Sequence, residues 1–355
     1  MSKFIVRTKT IVIDRHIYIR HKRKCNFVTI SLFVLSYIMY LRFTFGPNFS
    51  FTKWDLNDDI SCYFKKDDNL TSITDINPSG QSIFFSDSTC NTQLWEPKDG
   101  CVVESAARAH LNWPVYILFN NPVSKEEIKN NDVLKVLTKI PNIKFARVNI
   151  EEYSIGTSAE GLVISGALND IECPIKLTEG LVKYLTLYKY GGIFMEKDVI
   201  VTKSLSSLSK DWIAKQSECC IGSGILSLTK DARFISEYAL RLLVKNQKSI
   251  CKIAENIMAK VAERECTPAD GIAKGAVTCN GFDIYCSQYF YPIASEDVGD
   301  YFKSGELPGD DSAYAYYLWT KLTLGAGFMQ QQGSIYTKLA KKFCPLTYAA
   351  FSSKF

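Results

Sequence analysis

Glu196 and Asp198 stand one residue apart, directly after the apolar run Ile193-Phe194-Met195 and before a second, Val199–Val201. Side chains two apart on extended backbone point the same way, so both carboxylates can face one ligand. Two carboxylates with several waters suit a hard divalent cation, Mg2+ or Mn2+, and leave coordination positions open for diphosphate oxygens. A solvated surface turn would show the same spacing, so the surrounding chain has to decide. The chain holds only three His, and no two Cys form a C-x-x-C pair, which argues against a zinc site. No lone Ser or His stands out as a general base, and no catalytic acid or base is assigned.

The elements around the two acids are legible. Leu177, Leu181, Tyr184, Leu185 and Tyr188 fall on one side of a helix, with Thr178 the expected N-cap and Gly191-Gly192 the stop. The apolar run after those glycines is a short strand. Upstream, Val115–Phe119 lies between Pro114 and Asn120-Asn121-Pro122 and is expected as a buried strand. Lys125–Lys139 has helical spacing at Ile128, Val133, Leu134 and Leu137, and Lys144–Val148 is expected as the next strand. Strand, helix and strand in alternation imply an α/β fold with a mostly parallel sheet covered on both faces. In such a sheet ligands bind beyond the carboxyl ends of the strands, where Glu196 and Asp198 fall.

Net charge is +5 over 355 residues, which by itself suggests an acidic partner such as nucleic acid. Its location removes that reading. Residues 1–24 hold eight Lys/Arg against one acid, Asp14, so the rest of the chain is faintly acidic. Cys25–Leu41 then runs seventeen residues without a charge. As a helix it rises about 26 Å; the aromatics to residue 45 and a snorkelling Arg42 extend it toward the ~30 Å hydrocarbon core. We expect a basic cytosolic tail at 1–24 and an uncleaved transmembrane signal anchor at 25–45, oriented by the positive-inside rule. No small-x-small site precedes Gly46-Pro47, which weighs against a cleaved signal peptide.

Two features agree with a lumenal location for the remainder. Eleven of twelve cysteines follow the anchor, and in an oxidising compartment most would form disulfides. The odd number leaves at least one thiol free or bonded between chains, a route to homo- or hetero-oligomers. N-x-S/T triplets occur at Asn48 and Asn69, just beyond the anchor. Residues 46–80, rich in Asp, Asn, Ser and Lys, are expected as a stem, and 81–355 as the lumenal domain.

The context of the acid pair resembles a known family. Tyr184-Leu185-Thr186-Leu187-Tyr188-Lys189-Tyr190-Gly191-Gly192-Ile193-Phe194, followed by acid-x-acid, is similar to the α1,4-glycosyltransferases, the globotriaosylceramide-synthase-like Golgi enzymes. Cys101–Arg108 resembles the family's C-x-V-E-S-A-A element, Phe290–Ile293 its F-Y-P-I strand, and Ala313–Lys321 its S-Y-A-V-H-x-W-N-K segment. Leu339–Pro345 resembles its closing pattern, so the likeness spans about residues 81–355.

The resemblance implies a Rossmann-like glycosyltransferase A fold behind a single N-terminal transmembrane helix, in a type II Golgi membrane protein. It implies a UDP-sugar donor, a retaining α1,4 transfer of a hexose or N-acetylhexosamine to a glycosphingolipid or glycan, and assistance by Mn2+ or Mg2+. Carried over by position, Glu196 and Asp198 are the metal pair. Glu104, Ser105 and Lys183 border the donor, and Tyr317, Trp319 and Lys321 lie near the transferred sugar. Glu104 could equally cap or pair, and Lys183 could be an i, i+4 partner of Glu179.

The departures cluster at the same positions. Glu179-Gly180 replaces an S-D pair, Lys183 an Arg, Glu196 an Asp, Tyr317 a His and Thr320 an Asn, while Lys197 stands between the two acids. A catalytically impaired relative, acting as a lumenal glycan- or protein-binding scaffold, would carry the same trace.

Overall fold

A computed structural model describes residues 59–65, 70–218, 220–253, 256–266, 272–273, 275–309, 311–323 and 333–354. The tail at 1–24, the anchor at 25–45, Asn48 and Asn69 lie outside the described residues. Among the described residues no helix is long and apolar enough to cross a membrane.

The strands are β1 (Ile83–Asp87), β2 (Val115–Phe119), β3 (Ile143–Arg147), β4 (Gly192–Met195), β5 (Val199–Val201), β6 (Trp212–Ser217), β7 (Cys220–Leu228), β8 (Ile272–Ala273), β9 (Ala276–Cys279), β10 (Phe282–Tyr285) and β11 (Ala315–Tyr317). Nine form one sheet in the order β3-β2-β1-β4-β7-β6-β10-β9-β8. The β3-β2-β1-β4 half is parallel, with Ile83 beside both Val115 and Ile193. From β7 onward antiparallel ladders enter, and only β6 with β10 is parallel. The remaining pair, β5 and β11, is a separate antiparallel ladder.

Alternation along the strands feeds two cores. Ile83, Phe85, Ile117, Ile193 and Met195 pack on one face, and Phe84, Leu118 and Phe194 on the other. Both faces of the parallel half are therefore covered, as βαβ connections require. The covering helices include α1 (Pro97–Ala109), α2 (Pro174–Tyr190), α3 (Arg233–Lys245), α4 (Ile257–Glu265), α5 (Ile335–Phe343) and α6 (Pro345–Phe351).

Several expectations need correction. Thr178 does not cap α2: the helix begins at Pro174, whose missing N–H suits a first turn, and Thr178 is buried inside it. The single helix expected over 125–139 is two, Lys125–Asn130 and Asp132–Leu137. Asn131 breaks it, because its side chain accepts from Leu134 N at 2.9 Å and donates to Thr92 O at 2.9 Å. The strand expected at Phe290–Ile293 is absent, since a 3-10 turn at Ser287–Tyr289 and Pro292 interrupt any ladder. Within the segment expected as stem, some side chains join the core. Ile60, Cys62, Tyr63 and Ile73 are buried, and a Cys62–Cys90 disulfide ties this segment to the loop after β1.

Three more disulfides, Cys101–Cys344, Cys173–Cys251 and Cys266–Cys279, join α1 to the C-terminal helices, α2 to the segment after α3, and α4 to β9. Cys286 is a half-buried free thiol.

Candidate active site

The sheet reverses its winding at β1, with β2 on one side and β4 on the other, which opens a crevice beyond their carboxyl ends. A cleft of about 560 Å3 lies there, lined by Ser86 of β1, Met195 of β4, and Glu196, Lys197 and Asp198 of the following turn. Gly191 sets up the entry into β4: it ends α2 at φ 69°, and a Cβ there would sit 3.0 Å from Leu228 O. Lys183 and Glu179 reach the cleft from α2.

The far wall comes from 120 residues later in the chain. Pairing of β11 with β5 sets Tyr317 beside Val199, and Leu318 N donates to Asp198 O at 2.7 Å. Tyr317, Trp319, Thr320 and Lys321 thereby line the cleft. Trp319 has φ 56°, a left-handed conformation that bulky side chains rarely adopt. Its ring is held by an Nε1–H bond to Ile293 O at 2.9 Å and by an edge contact with Tyr317, 4.8 Å between centroids. Strand alternation sends Tyr316 the other way, fully buried with its hydroxyl on Pro308 O.

The two acids are engaged differently. Lys183 Nζ donates to Glu196 Oε1 at 2.8 Å and to Ser223 O at 2.7 Å, and the Tyr317 hydroxyl donates to Glu196 Oε2 at 2.8 Å. Burial would raise the Glu196 carboxyl, but the Lys183 ammonium, its hydrogen bond and Tyr317 hold it down to about 2. Asp198 is 9% exposed, and both its oxygens accept from Thr320: Oδ2 from the backbone N–H at 3.2 Å, Oδ1 from the hydroxyl. Burial pushes its carboxyl above the usual range, against the pull of those bonds. Burial likewise raises the Tyr317 and Tyr291 phenols, so both remain donors at neutral pH.

Lys197 turns away from the acids between which it sits. Its ammonium lies 3.6 Å from Asp87 at the end of β1 and 4.8 Å from the centre of the Trp95 ring. Burial alone would make it less basic, yet the charges of Asp87, Asp99 and Glu179 hold its pKa up.

This donor set does not fit the divalent ion expected from the spacing. A cation bonded to Glu196 Oε1 would lie no more than about 5 Å from the Lys183 ammonium, a repulsion of roughly 7 kcal/mol at an effective dielectric of ~20. Both Asp198 oxygens are already engaged by Thr320, one by its backbone N–H and the other by its hydroxyl.

Of the other positions carried over, Lys183, Tyr317, Trp319 and Lys321 meet in the cleft. Glu104 and Ser105 do not. Both are buried in the middle of α1, not in a strand-to-helix turn. Glu104 accepts from Leu346 N at 2.9 Å, Thr347 N at 2.7 Å and Thr347 Oγ1 at 2.7 Å, and so caps α6 from another helix. The Ser105 hydroxyl accepts from Val201 N at 2.9 Å and anchors β5. Lys183 pairs with Glu196 across the turn rather than with Glu179 on its own helix.

Sequence reasoning missed Tyr291, Ser223 and Gly224. A signal existed in Gly222-Ser223-Gly224: a Cβ at Gly222 would fall 2.3 Å from the Tyr291 hydroxyl, and one at Gly224 2.4 Å from Tyr317 Cε2. These glycines let two tyrosine rings lie against β7. Gly180, a weak helix residue, has a similar reason, with Leu243 of α3 packed 3.0 Å from where its Cβ would be.

The chain is similar to known glycosyltransferases. Residues 235–351 match the alpha 1,4-glycosyltransferase conserved region, and residues 96–218 match the glycosyltransferase sugar-binding region containing a DXD motif. Human lactosylceramide 4-alpha-galactosyltransferase is 24% identical over 259 residues, 70% of this chain and 72% of that protein. Human alpha-1,4-N-acetylglucosaminyltransferase is 21% identical over 259 residues, 70% of this chain and 74% of the relative. Among solved structures, the galactosyltransferase LgtC in complex with donor and acceptor sugar analogues is 14% identical, covers 76% of this chain and 96% of its own, and superposes with a TM-score of 0.41. The sugar-binding region spans the Glu196–Asp198 turn and the alpha 1,4-glycosyltransferase conserved region spans the wall from Tyr291 to Trp319, so both sides of the cleft lie in segments similar to that family.

Proposed function

We propose that this protein is a retaining glycosyltransferase that moves a hexose or N-acetylhexosamine from a UDP-sugar to a glycosphingolipid or glycan, in α1,4 linkage. The observation that carries the reading is the cleft beyond β1 and β4, where a fixed cation, Lys183, and an aromatic wall of Tyr291, Tyr317 and Trp319 meet. A diphosphate brings negative charge, and a preplaced ammonium stabilises it without reorganisation. The aromatic wall offers an apolar face with polar edges, which suits a sugar ring. Residues 1–45 add a membrane anchor, and we propose a single-pass type II arrangement in the Golgi with the folded unit lumenal and glycans at Asn48 and Asn69. Four disulfides support an oxidising compartment.

The test is transfer by the detergent-solubilised full chain, given a panel of UDP-sugars and either lactosylceramide or a β-galactoside, in EDTA and in Mn2+. An α1,4-linked product is expected. No transfer and no UDP release with any donor, while UDP still binds, would replace this reading with the non-catalytic scaffold.

A further inference from the structure

We infer that Lys183 is the resident cation of the donor site, so that the nucleotide diphosphate binds without a divalent metal ion. The inference rests on the nucleotide-sugar reading above and concerns which charge faces the diphosphate. Spacing of the acids predicts a metal; the wiring of those acids points elsewhere. Each Glu196 oxygen accepts a hydrogen bond, Oε1 from Lys183 at 2.8 Å and Oε2 from Tyr317 at 2.8 Å. Both Asp198 oxygens accept from Thr320 at the edge of the cleft.

Lys183 is built to stay where it is. It is 6% exposed, and Glu196 together with the Ser223 carbonyl, 2.7 Å away, fixes its ammonium on the cleft floor. An ammonium has three donors, and these two contacts leave one for a ligand. Lysine binds phosphate as a point charge, which suits a group that must neutralise rather than coordinate. Glu196 is then a positioning residue: it holds the ammonium in place, the opposite of a ligand waiting for a metal. Lys197 contributes no such contact, because Asp87 and Trp95 hold it in the wall.

The experiment is UDP binding to the full chain by calorimetry, in EDTA and in millimolar Mn2+, with electron paramagnetic resonance following Mn2+ alone. The expected result is UDP affinity equal within about twofold in the two buffers, and no Mn2+ uptake by the protein without nucleotide. Removing Lys183 alone would strand a buried charge, so the pair is neutralised together. Lys183→Met/Glu196→Gln should keep its cooperative melt and bind UDP at least about tenfold more weakly in both buffers, whereas Lys183→Arg stays within about fivefold of wild type. UDP binding that needs Mn2+ would overturn the resident-cation assignment and leave the nucleotide reading standing. So would wild-type affinity in the double variant. No UDP binding in either buffer would overturn the nucleotide reading itself.

Discussion

Glu104→Gln separates a donor-binding role from a capping role at the position where family likeness and structure disagree. The carboxylate is fully buried and receives three hydrogen bonds, from Leu346 N, Thr347 N and Thr347 Oγ1. Leu346 and Thr347 are in the first turn of α6, whose own N-cap residue, Cys344, supplies no side-chain bond. An amide keeps one acceptor oxygen but turns an NH2 toward a remaining donor. One buried N–H then loses its partner and the charge at the helix N-terminus is gone, a loss of about 2–3 kcal/mol. Glu104→Ala strands all three donors beside a cavity, for roughly 4–6 kcal/mol. In a domain of this size the Gln variant should melt roughly 3–5 °C lower. Differential scanning fluorimetry gives the shift, and UDP calorimetry on the same sample should show unchanged affinity. An unchanged melting temperature with lost UDP binding would refute the capping role and return Glu104 to the donor.

Three further outcomes follow from the same geometry. The folded pKa of Glu196, about 2, lies below its ordinary 4.5, so its contribution to stability is complete above pH 4.5 and disappears as pH falls toward 2. Tyr317→Phe removes a hydrogen bond that lowers this pKa and should move the acid loss to higher pH, read by tryptophan fluorescence. Cys344→Ser opens a disulfide spanning 243 residues of sequence and should destabilise by about 5–6 kcal/mol in the chain-entropy account, measured by denaturant titration. Gly224→Ala places a Cβ 2.4 Å from the Tyr317 ring, which must then leave Glu196. Transfer should fall by about tenfold or more while the melting temperature drops by only a few degrees, since β7 is otherwise unchanged.

The local layer of this protein was legible from residue order. Apolar periodicity marked the 17-residue helix α2 to within a few residues of its N-terminus, the glycine pair marked its stop, and β2 and β4 were visible as apolar runs between turn residues. Period and turn chemistry act over a few residues, so they survive in a linear reading. The contribution of Ile60, Cys62, Tyr63 and Ile73 to the core was hidden, because a few apolar anchors sit among many polar residues.

Which way each charge faces was decided only by the fold. Lys183, four residues after Glu179, looks like that residue's partner on one helix, yet it crosses to Glu196 because the turn after β4 brings the carboxylate against α2. Glu104 has the family's position for a donor contact, but its three hydrogen-bond donors arrive from residues 346 and 347. Asp198 meets Thr320 because β11 pairs with β5. The spacing of two acids predicts that they can share a ligand; it carries no information about groups more than a hundred residues away that reach their oxygens first. Secondary structure is set by neighbours along the chain, whereas the state of a buried charge is set by whatever the packed chain brings within hydrogen-bonding distance.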